Sequence, residues 1–158
     1  MSEASEKAYA LFEGAIGTSE GTGEWFEVTQ ADIDTFADVT HDHQFIHVDP
    51  EACATMSPWG VPIAHGFLTL SMLTHLSASI PVAADRLAGI VMGVNYGFNK
   101  VRFVTPVKVG SRIRVTSSIA GVELKGDALQ VVRAMTVEID GEEKPALVAD
   151  WITRLVYG

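Results

Sequence analysis

The sequence predicts an α+β domain in which a curved antiparallel β-sheet wraps a long central helix. Two patterns support this fold class. The segment "HGFLTLSMLTHLSASI", residues 65–80, has no proline and no glycine after Gly66. Its apolar residues point around most of the helix circumference, which is typical of a buried helix. The C-terminal half then carries four β-branched, roughly alternating segments, which are typical of strands.

The N-terminal elements follow from local signals. Residues 4–14 predict a short helix, and the glycine-rich stretch 14–24 predicts a loop. The next residues, "WFEVT", predict a short strand. Thr29 then suits an N-cap, with Asp32 in a weak version of the capping box, so a second helix is expected over about 30–39.

The next segment, "THDHQFIH" (40–47), packs three histidines and an aspartate into eight positions. It is expected to be an irregular connection, because Asp49 suits the N-cap of a following helix and Pro50 suits its first position. The proline- and glycine-containing stretch 56–64 is a second irregular segment. Loops held between rigid elements are common places for catalytic residues.

The four C-terminal strands are predicted to form an antiparallel sheet through short turns. "KGD" (125–127) and "DGEE" (140–143) are the hairpin turn signals. One alternating set in the second of these strands is predicted to share a face of the sheet. This set is Ile113, Val115, Ser117 and Ile119.

Size and composition limit the possible functions. The 158 residues suffice for one domain with a substantial core, so a single domain over 1–158 is expected, with 1–24 as an N-terminal extension and loop. The net charge of −9 disfavours nucleic acids and anionic membrane surfaces as partners. Cys53 is the single cysteine, which excludes an internal disulfide. An acidic start and the lack of a long apolar run predict a cytoplasmic protein.

Three interpretations of the histidine-rich loop compete. A metal site would need His41, His43 and His47 together, but no regular conformation groups them, and zinc-type spacings are missing; we predict no metal. His41 and His43 are better explained as structural or solvated residues. The remaining interpretation is an acid–base pair of Asp42 with His47.

A family resemblance supports this last interpretation. "FADVTHDHQFIHVDPEA", "IAHGFLTLSML" and "NKVRFVTPVKVGSRI" follow one another in an order and spacing that resemble the MaoC-like, (R)-specific enoyl-CoA hydratases, notably mycobacterial single-domain members. The likeness runs from about residue 25 to the C-terminus. It implies a hot-dog fold, a homodimer, an acyl-CoA substrate and no cofactor beyond the CoA of that substrate. The implied reaction hydrates trans-2-enoyl-CoA to (R)-3-hydroxyacyl-CoA.

The family motif is an aromatic residue, then Gly-Asp, one residue, Asn-Pro, an aliphatic residue and His. The matching positions are Phe36, Asp42, Ile46 and His47. His41 replaces the glycine, and Gln44 and Phe45 replace Asn-Pro. The resemblance implies that Asp42 and His47 hold one water molecule between them. Gln44 is expected to make the loop-bracing hydrogen bonds of an asparagine, while Phe45 replaces the stiffness of proline by packing.

Gly66 opens the central helix, and the resemblance implies that its backbone amide stabilises the enolate oxygen. The alternative is that Gly66 only permits close packing. His65 is expected to brace the loop, and His65, Gln44 and Phe45 are also candidates for substrate binding. Ser71 and Thr74 are candidates for substrate contact, although a hydroxyl bonded to the preceding helical turn is an alternative. Asn95 and Arg102 are candidates for bracing the site or binding CoA phosphate. The proposed basic strip for CoA is Lys100, Arg102, Lys108, Arg112 and Arg114.

Two other functions stay open at this point. A hot-dog acyl-CoA thioesterase would use the same helix N-terminus near the thioester carbonyl. A binding module would hold an acyl thioester without turnover, and the loss of Asn-Pro favours it. A pathway-specific or nodulation-type dehydratase acting on an unusual acyl group or on a carrier-protein thioester is a further variant.

Overall fold

The computed structural model describes residues 2–126 and 128–158. Seven helices and six strands are assigned within these residues. The helices are α1 (Glu3–Glu13), α2 (Gln30–Thr40), α3 (Phe45–Val48), α4 (Pro50–Met56), α5 (Gly66–Ser71), α6 (Leu73–Ser77) and α7 (Ala84–Leu87). The strands are β1 (Ser19–Thr22), β2 (Phe26–Glu27), β3 (Ile90–Phe103), β4 (Arg112–Lys125), β5 (Ala128–Ile139) and β6 (Leu147–Tyr157).

The strands form one antiparallel sheet in the order β1-β4-β5-β6-β3, and β2 pairs with β4. The predicted α+β class and the four long strands are confirmed, including the buried alternating face of β4. Of the two predicted turns, the first includes Asp127, which lies outside the described residues. The second contains Gly141 with φ 80°, a left-handed conformation that suits glycine.

The predicted loop over 14–24 is wrong for its second half. Ser19–Thr22 form β1, which pairs with Thr116–Ser118 of β4. The sequence of this short strand has no apolar alternation. It forms a strand because its backbone hydrogen-bonds to β4, and this pairing does not require apolar side chains. The N-terminal segment therefore extends the sheet.

The central helix is shorter and less buried than predicted. It consists of α5 and α6, which meet at Met72, and it ends at Ser77. Met72 N–H still donates to Leu68 O, so the chain continues in a helical path across the junction. Only one face is buried, since Phe67 on the other face is 67 % exposed.

Two hydrophobic clusters cover the inner face of the sheet. The larger lies under α5 and α6 and contains Leu68, Leu73 and Leu76. The smaller lies under α1, where Ala8 and Phe12 pack on the far ends of β4 to β6. Burying a phenylalanine side chain stabilises a fold by about 1.5–3 kcal/mol, so α1 is an integral part of the domain. No helix within the described residues is both long and apolar enough to cross a membrane.

Candidate active site

Two capped helices hold the histidine-rich loop in place. Thr29 and Asp32 form a complete capping box at the start of α2, as predicted. Asp49 caps α4 through Ala52 N–H, and Pro50 occupies its first position, also as predicted. The connection is not wholly irregular, because Phe45–Val48 form the helical turn α3, which carries His47. The loop is therefore a rigid mount for that side chain.

His41 and His43 lie outside the site. His41 ends α2 in the left-handed region, with φ 61° and ψ 22°, so this chain retains the backbone conformation that suits the family's glycine at this position. His43 is exposed, and its Nε2 lies 2.8 Å from Asp38 Oδ1. These positions agree with the structural or solvated interpretation of both residues.

His47 is buried and held in one tautomer. Its Nδ1 lies 2.6 Å from the carbonyl oxygen of Ile63, which can only accept, so Nδ1 carries the hydrogen. In the neutral ring, Nε2 therefore presents a lone pair. Burial lowers the pKa of His47 below its usual value, more than the Ile63 carbonyl and Asp42 raise it. The imidazole is thus an available base at neutral pH.

His65 stacks on His47, with ring centroids 3.7 Å apart and planes 24° from parallel. Its Nε2 donates to the backbone oxygen of Asp42 at 2.9 Å, which links the start of the central helix to the loop. The ring of Phe36 packs on His65 at 5.0 Å. This contact set is the bracing geometry expected of His65. A charge on His65 would further lower the pKa of His47.

Asp42 lies beside the two imidazoles at the exposed end of the site. Ligand-type atoms of Asp42, His47 and His65 all lie within 4.8 Å of one another. Asp42 Oδ1 is also 3.4 Å from Gln44 N–H, a long contact within the loop. One water molecule can bridge a carboxylate and an imidazole at this separation, because two successive hydrogen bonds of about 2.8 Å span it.

Asp42, His47 and His65 could also be considered as ligands of a metal ion. This set differs from the three loop histidines His41, His43 and His47 considered in the sequence. Two imidazoles and a carboxylate are a common ligand combination. The stacking argues against it here. Imidazole lone pairs lie in the ring planes, so two nearly parallel, stacked rings cannot both aim at one ion about 2 Å from each nitrogen. The metal-free site stays a prediction.

A cavity of about 250 Å³ opens next to His47 and Gly66. Gly66 is the first residue of α5, and no acceptor for its N–H occurs among the described residues. A β-carbon added at Gly66 would lie 3.0 Å from the ring of Phe103. The packing explanation for this glycine is therefore supported, and the geometry is equally open to an oxyanion role. The main other lining residues are Trp59, Ile63, Thr69, Val104, Thr105 and Pro106.

Of the residues that line this cavity, only His47 and Gly66 were proposed from the sequence, and three of the others show why. Trp59 lies in the proline- and glycine-rich segment, where a large aromatic side chain was a usable signal. Thr69 follows Gly66 by three residues and so lies on the same helix face, which spacing alone could have indicated. Phe103 comes from β3, and only the tertiary structure brings it to Gly66.

The polar candidates Ser71 and Thr74 of the central helix, and Asn95 of β3, lie elsewhere. Ser71, Thr74 and Asn95 line a separate cavity of about 280 Å³, together with Leu70, Leu73, Phe98 and Trp151. Ser71 Oγ donates to Phe67 O at 2.7 Å, as the alternative interpretation predicted. These residues are therefore placed beside a more distant part of the groove between helix and sheet.

Gln44 and Phe45, which replace the Asn-Pro of the family motif, have modest structural roles. Gln44 is exposed and precedes α3, and its side chain makes no capping hydrogen bond. Its carbonyl oxygen accepts from His47 N–H at 2.9 Å, so the backbone braces His47 where a side-chain brace was expected. Phe45 is half-buried, as expected for a residue that packs in the loop.

The predicted basic strip is largely neutralised. Arg112 pairs with Asp140, Arg114 with Glu138, and Lys100 with Asp150. Arg102 is exposed, and its guanidinium donates to Val101 O. Arg102 and Lys108 form no ion pair with any described residue, and they flank residues 103–107, which line the cavity.

The chain is similar to known proteins over most of its length. Residues 11–141 match the family model described as MaoC like domain. The chain is 48 % identical over 143 residues to Nodulation protein N of Rhizobium leguminosarum bv. viciae, which covers 90 % of this chain and 87 % of that protein. It is 47 % identical over 143 residues to 3-hydroxyacyl-thioester dehydratase Z of Mycobacterium tuberculosis, covering 90 % and 91 %.

A solved structure confirms the fold. The unliganded R-hydratase PhaJ1 from Pseudomonas aeruginosa superposes with a TM-score of 0.69 at 21 % sequence identity, over 90 % of this chain and 83 % of that one. The architecture is therefore the hot-dog fold, as the resemblance implied. With the family model covering most of the sequence, the chain belongs to the MaoC-like dehydratase family of hydratase and dehydratase enzymes.

Proposed function

We propose that the protein is a hydro-lyase that reversibly hydrates trans-2-enoyl thioesters to (R)-3-hydroxyacyl thioesters, with CoA as the thiol carrier. The observation that carries this proposal is the arrangement of His47. Its Nδ1 is fixed by Ile63 O, its lowered pKa keeps it neutral, and a ring nitrogen of His47 lies within 4.8 Å of an Asp42 carboxylate oxygen, a gap that fits one water molecule. The relative from M. tuberculosis carries the name of a 3-hydroxyacyl-thioester dehydratase.

The proposed hydration adds one water molecule across the double bond. The oxygen of the bridging water attacks C3 of the alkene while His47 Nε2 takes one of its protons. The electron pair of the double bond moves toward the thioester oxygen, where Gly66 N–H stabilises the enolate. One such donor is worth about 3–4 kcal/mol in the transition state. A proton is then delivered to C2 from the Asp42–His47 pair, which restores the site and completes the addition of H and OH.

Substrate binding follows from the same geometry. The cavity between Trp59 and Phe103 accepts the reactive end of the acyl group, with the thioester carbonyl at Gly66. Arg102 and Lys108 are proposed to meet the CoA phosphates. The cavity beside Thr74 and Asn95 lies further along the central helix and is proposed to receive the acyl chain.

The functional unit is proposed to be a homodimer. Strand β3 forms one edge of the sheet, and an exposed sheet edge with apolar side chains invites pairing with another strand. Two-fold pairing of identical edges would cover it. The exposed apolar residues of this strand are Val91, Met92, Val94 and Tyr96.

Loss of enoyl absorbance with crotonyl-CoA tests the proposal directly. We expect hydration by the wild type, with the (R)-product identified by chiral analysis. His47→Ala should lower turnover by ~10²–10⁴-fold because the base is removed, and Asp42→Asn should be similarly harmful. His43→Ala, in the same loop but outside the site, is the matched control and should retain activity.

Three results would contradict the proposal. Near-normal turnover in folded His47→Ala would exclude His47 as the base. Release of free thiol from saturated acyl-CoA, without hydration of crotonyl-CoA, would instead identify a thioesterase. Saturable crotonyl-CoA binding with unchanged absorbance would identify a binding module.

A further inference from the structure

Thr69 is a buried polar residue in the wall of the active-site cavity, and the proposed reaction does not use it. It lies on α5 and is only 3 % exposed. It lines the cavity of about 250 Å³ together with His47 and Gly66, and most of the other lining residues are apolar. Buried hydroxyl groups normally have a hydrogen-bond partner, so the partner of this one has to be identified.

The usual partner of a helical hydroxyl is absent at Thr69. Serine and threonine side chains inside helices often donate to the carbonyl oxygen one turn earlier. Helical residues that do so in this chain are Thr35, Thr40, Thr55, Ser71 and Ser77. At Thr69 the equivalent acceptor is His65 O. Within the described residues, that oxygen accepts from the N–H of Thr69 at 3.2 Å and from no hydroxyl.

The hydroxyl oxygen of Thr69 is open to the cavity. Among the described residues, the buried side-chain atoms that lack a partner and are sealed from solvent are Glu20 Oε1, His65 Nδ1 and Trp151 Nε1. Thr69 Oγ1 also lacks a partner in this part of the chain but is not one of these sealed atoms, so some of its surface is accessible. Because the residue is otherwise buried and lines the cavity, this surface faces the cavity.

The hydroxyl of Thr69 lies on the same side of the cavity as Gly66. Residues three apart share a helix face, and side chains in a helix tilt toward its N-terminus. The side chain of Thr69 therefore covers the first turn of α5, where Gly66 lies. Both residues border the cavity that His47 also lines, so both can reach one group of a bound molecule.

The proposed reaction places a growing negative charge on the thioester oxygen. In water such an oxygen would accept several hydrogen bonds, and the N–H of Gly66 replaces only one of them. Sites that stabilise oxyanions commonly combine a backbone N–H with a side-chain donor. A hydroxyl has one hydrogen to donate and can rotate toward its acceptor. Since the charge grows along the reaction, such a donor stabilises the transition state more than the bound substrate.

We propose that Thr69 is a second donor to the thioester oxygen, so that its Oγ1–H and the N–H of Gly66 hold the enolate together. The identity of the ligand as an enoyl thioester rests on the proposed function. Thr69 forms no covalent bond and transfers no proton. It is a catalytic residue because its hydrogen bond strengthens as charge develops on the substrate.

Thr69→Val tests this inference, because it removes the hydroxyl and keeps the branched shape. We expect kcat with crotonyl-CoA to fall by about 10²-fold at nearly unchanged KM, since the donor acts mainly in the transition state. Thr69→Ser keeps the hydroxyl and should retain most of the wild-type kcat. Thr35→Val is the matched control. It makes the same change at an exposed helical threonine bonded to Ala31 O and should keep full activity.

Thermal unfolding of the ligand-free variants distinguishes a catalytic hydroxyl from a structural one. No described residue bonds to Thr69 Oγ1, so Thr69→Val should leave Tm unchanged or raise it. If Thr69→Val lowers Tm, and Thr69→Ser loses as much kcat as Thr69→Val, the residue acts through packing and the inference is overturned.

Infrared spectroscopy of a bound saturated ester gives a readout that does not need turnover. Hydrogen bonds to a carbonyl oxygen polarise the C=O bond and lower its stretching frequency. We expect the band of butyryl-CoA, isotopically labelled at its carbonyl carbon, to shift down on binding to the wild type. The shift should be smaller in Thr69→Val and restored in Thr69→Ser. An equal shift in the wild type and Thr69→Val would overturn the inference, even if kcat fell.

The kinetic and infrared measurements keep this inference separate from the proposed function. Crotonyl-CoA hydration by the wild type, with an unchanged kcat in Thr69→Val, removes the inference and leaves the proposed function. A carbonyl band that depends on the hydroxyl of Thr69, without any hydration, supports the hydrogen bond and removes the hydro-lyase.

Discussion

His41 shows a local conflict between sequence and backbone. At φ 61° it occupies the left-handed region that costs a non-glycine residue about 1–2 kcal/mol, and the family motif has glycine there. His41→Gly should therefore raise the free energy of unfolding by about 1 kcal/mol, since relief of strain exceeds the added entropy of the unfolded chain. Urea denaturation measures this change.

The control for this substitution is His43→Gly in the same loop. His43 is not among the positive-φ residues, and it loses its contact with Asp38, so this variant should be destabilised by a few tenths to ~1 kcal/mol. If His41→Gly were equally destabilised, the left-handed conformation would not be costly in this loop.

If His47 is the base, as proposed, its environment sets the pH dependence of activity. Burial lowers the pKa of this group below its usual value of 6.5, and the base must be unprotonated to take a proton from water. The acid limb of kcat/KM should therefore lie below pH 6.5, so that activity persists from neutral into mildly acidic conditions.

The lowered pKa of His47 also affects stability. The unfolded chain takes up a proton at His47 first, so its contribution to stability is lost as pH falls below 6.5.

A pH–rate profile with crotonyl-CoA measures the limb. An acid limb above pH 6.5 would show that the charge of Asp42 outweighs burial at this imidazole. The stability part is checked by denaturation midpoints at several pH values, where His47→Gln should weaken the dependence around pH 6.5.

The proposed catalytic pair was chosen from the sequence, but the contacts that hold these two residues in place could be predicted only in part. Asp42 and His47 stand in a motif with fixed spacing, so local sequence identifies them. The stacking of His65 on His47 depends on bringing the start of α5 against α3, a contact across eighteen residues that no local pattern encodes. The Ile63 carbonyl that fixes the tautomer is invisible to sequence for the same reason.

At the scale of the element, one glycine at the start of α5 has an observed packing role and a proposed catalytic role. A β-carbon at Gly66 would lie 3.0 Å from the Phe103 ring and would also project into the cavity where the thioester oxygen is proposed to approach. Gly66→Ala should therefore lower both stability, by about 1–3 kcal/mol, and kcat/KM. Thermal unfolding and crotonyl-CoA kinetics measure the two effects.

A second substitution separates them. Phe103→Leu makes room for the added methyl group, so Gly66→Ala combined with Phe103→Leu should recover stability. If the glycine also serves close approach of the substrate, kcat/KM of the double variant stays below that of Phe103→Leu alone. Full recovery of both quantities would leave Gly66 with a packing role only.

Elements with a strong local pattern were predicted well, and those that depend on a neighbour were not. Helix α2 and strands β4 to β6 have caps or alternation that agree with their tertiary setting. Strand β1 was missed because its pairing with β4 does not depend on its own side chains. The central helix was expected to be buried all round, because an apolar residue such as Phe67 has the same pattern whether it packs within the chain or remains exposed.

At the scale of the whole molecule, apolar surface remains on one side. Strand β3 is the sheet edge, and Val94 on it is 43 % exposed. If this edge pairs with that of a second copy, the particle mass in solution is twice the chain mass of 17.0 kDa. Val94→Lys should then yield the single-chain mass, because a charge on an edge strand opposes pairing. Size-exclusion chromatography with light scattering measures this.

Ile16→Lys is the matched control, since Ile16 is 47 % exposed but lies in the loop before β1, at the opposite edge of the sheet. It should leave the mass at twice the chain value.

We further expect Val94→Lys to lower crotonyl-CoA hydration. Strand β3 supplies Phe103 at its end to the cavity beside His47, so loosening this edge displaces a wall of the site. A wild-type mass equal to one chain, or a fully active single-chain Val94→Lys variant, would show that the site is complete without a partner.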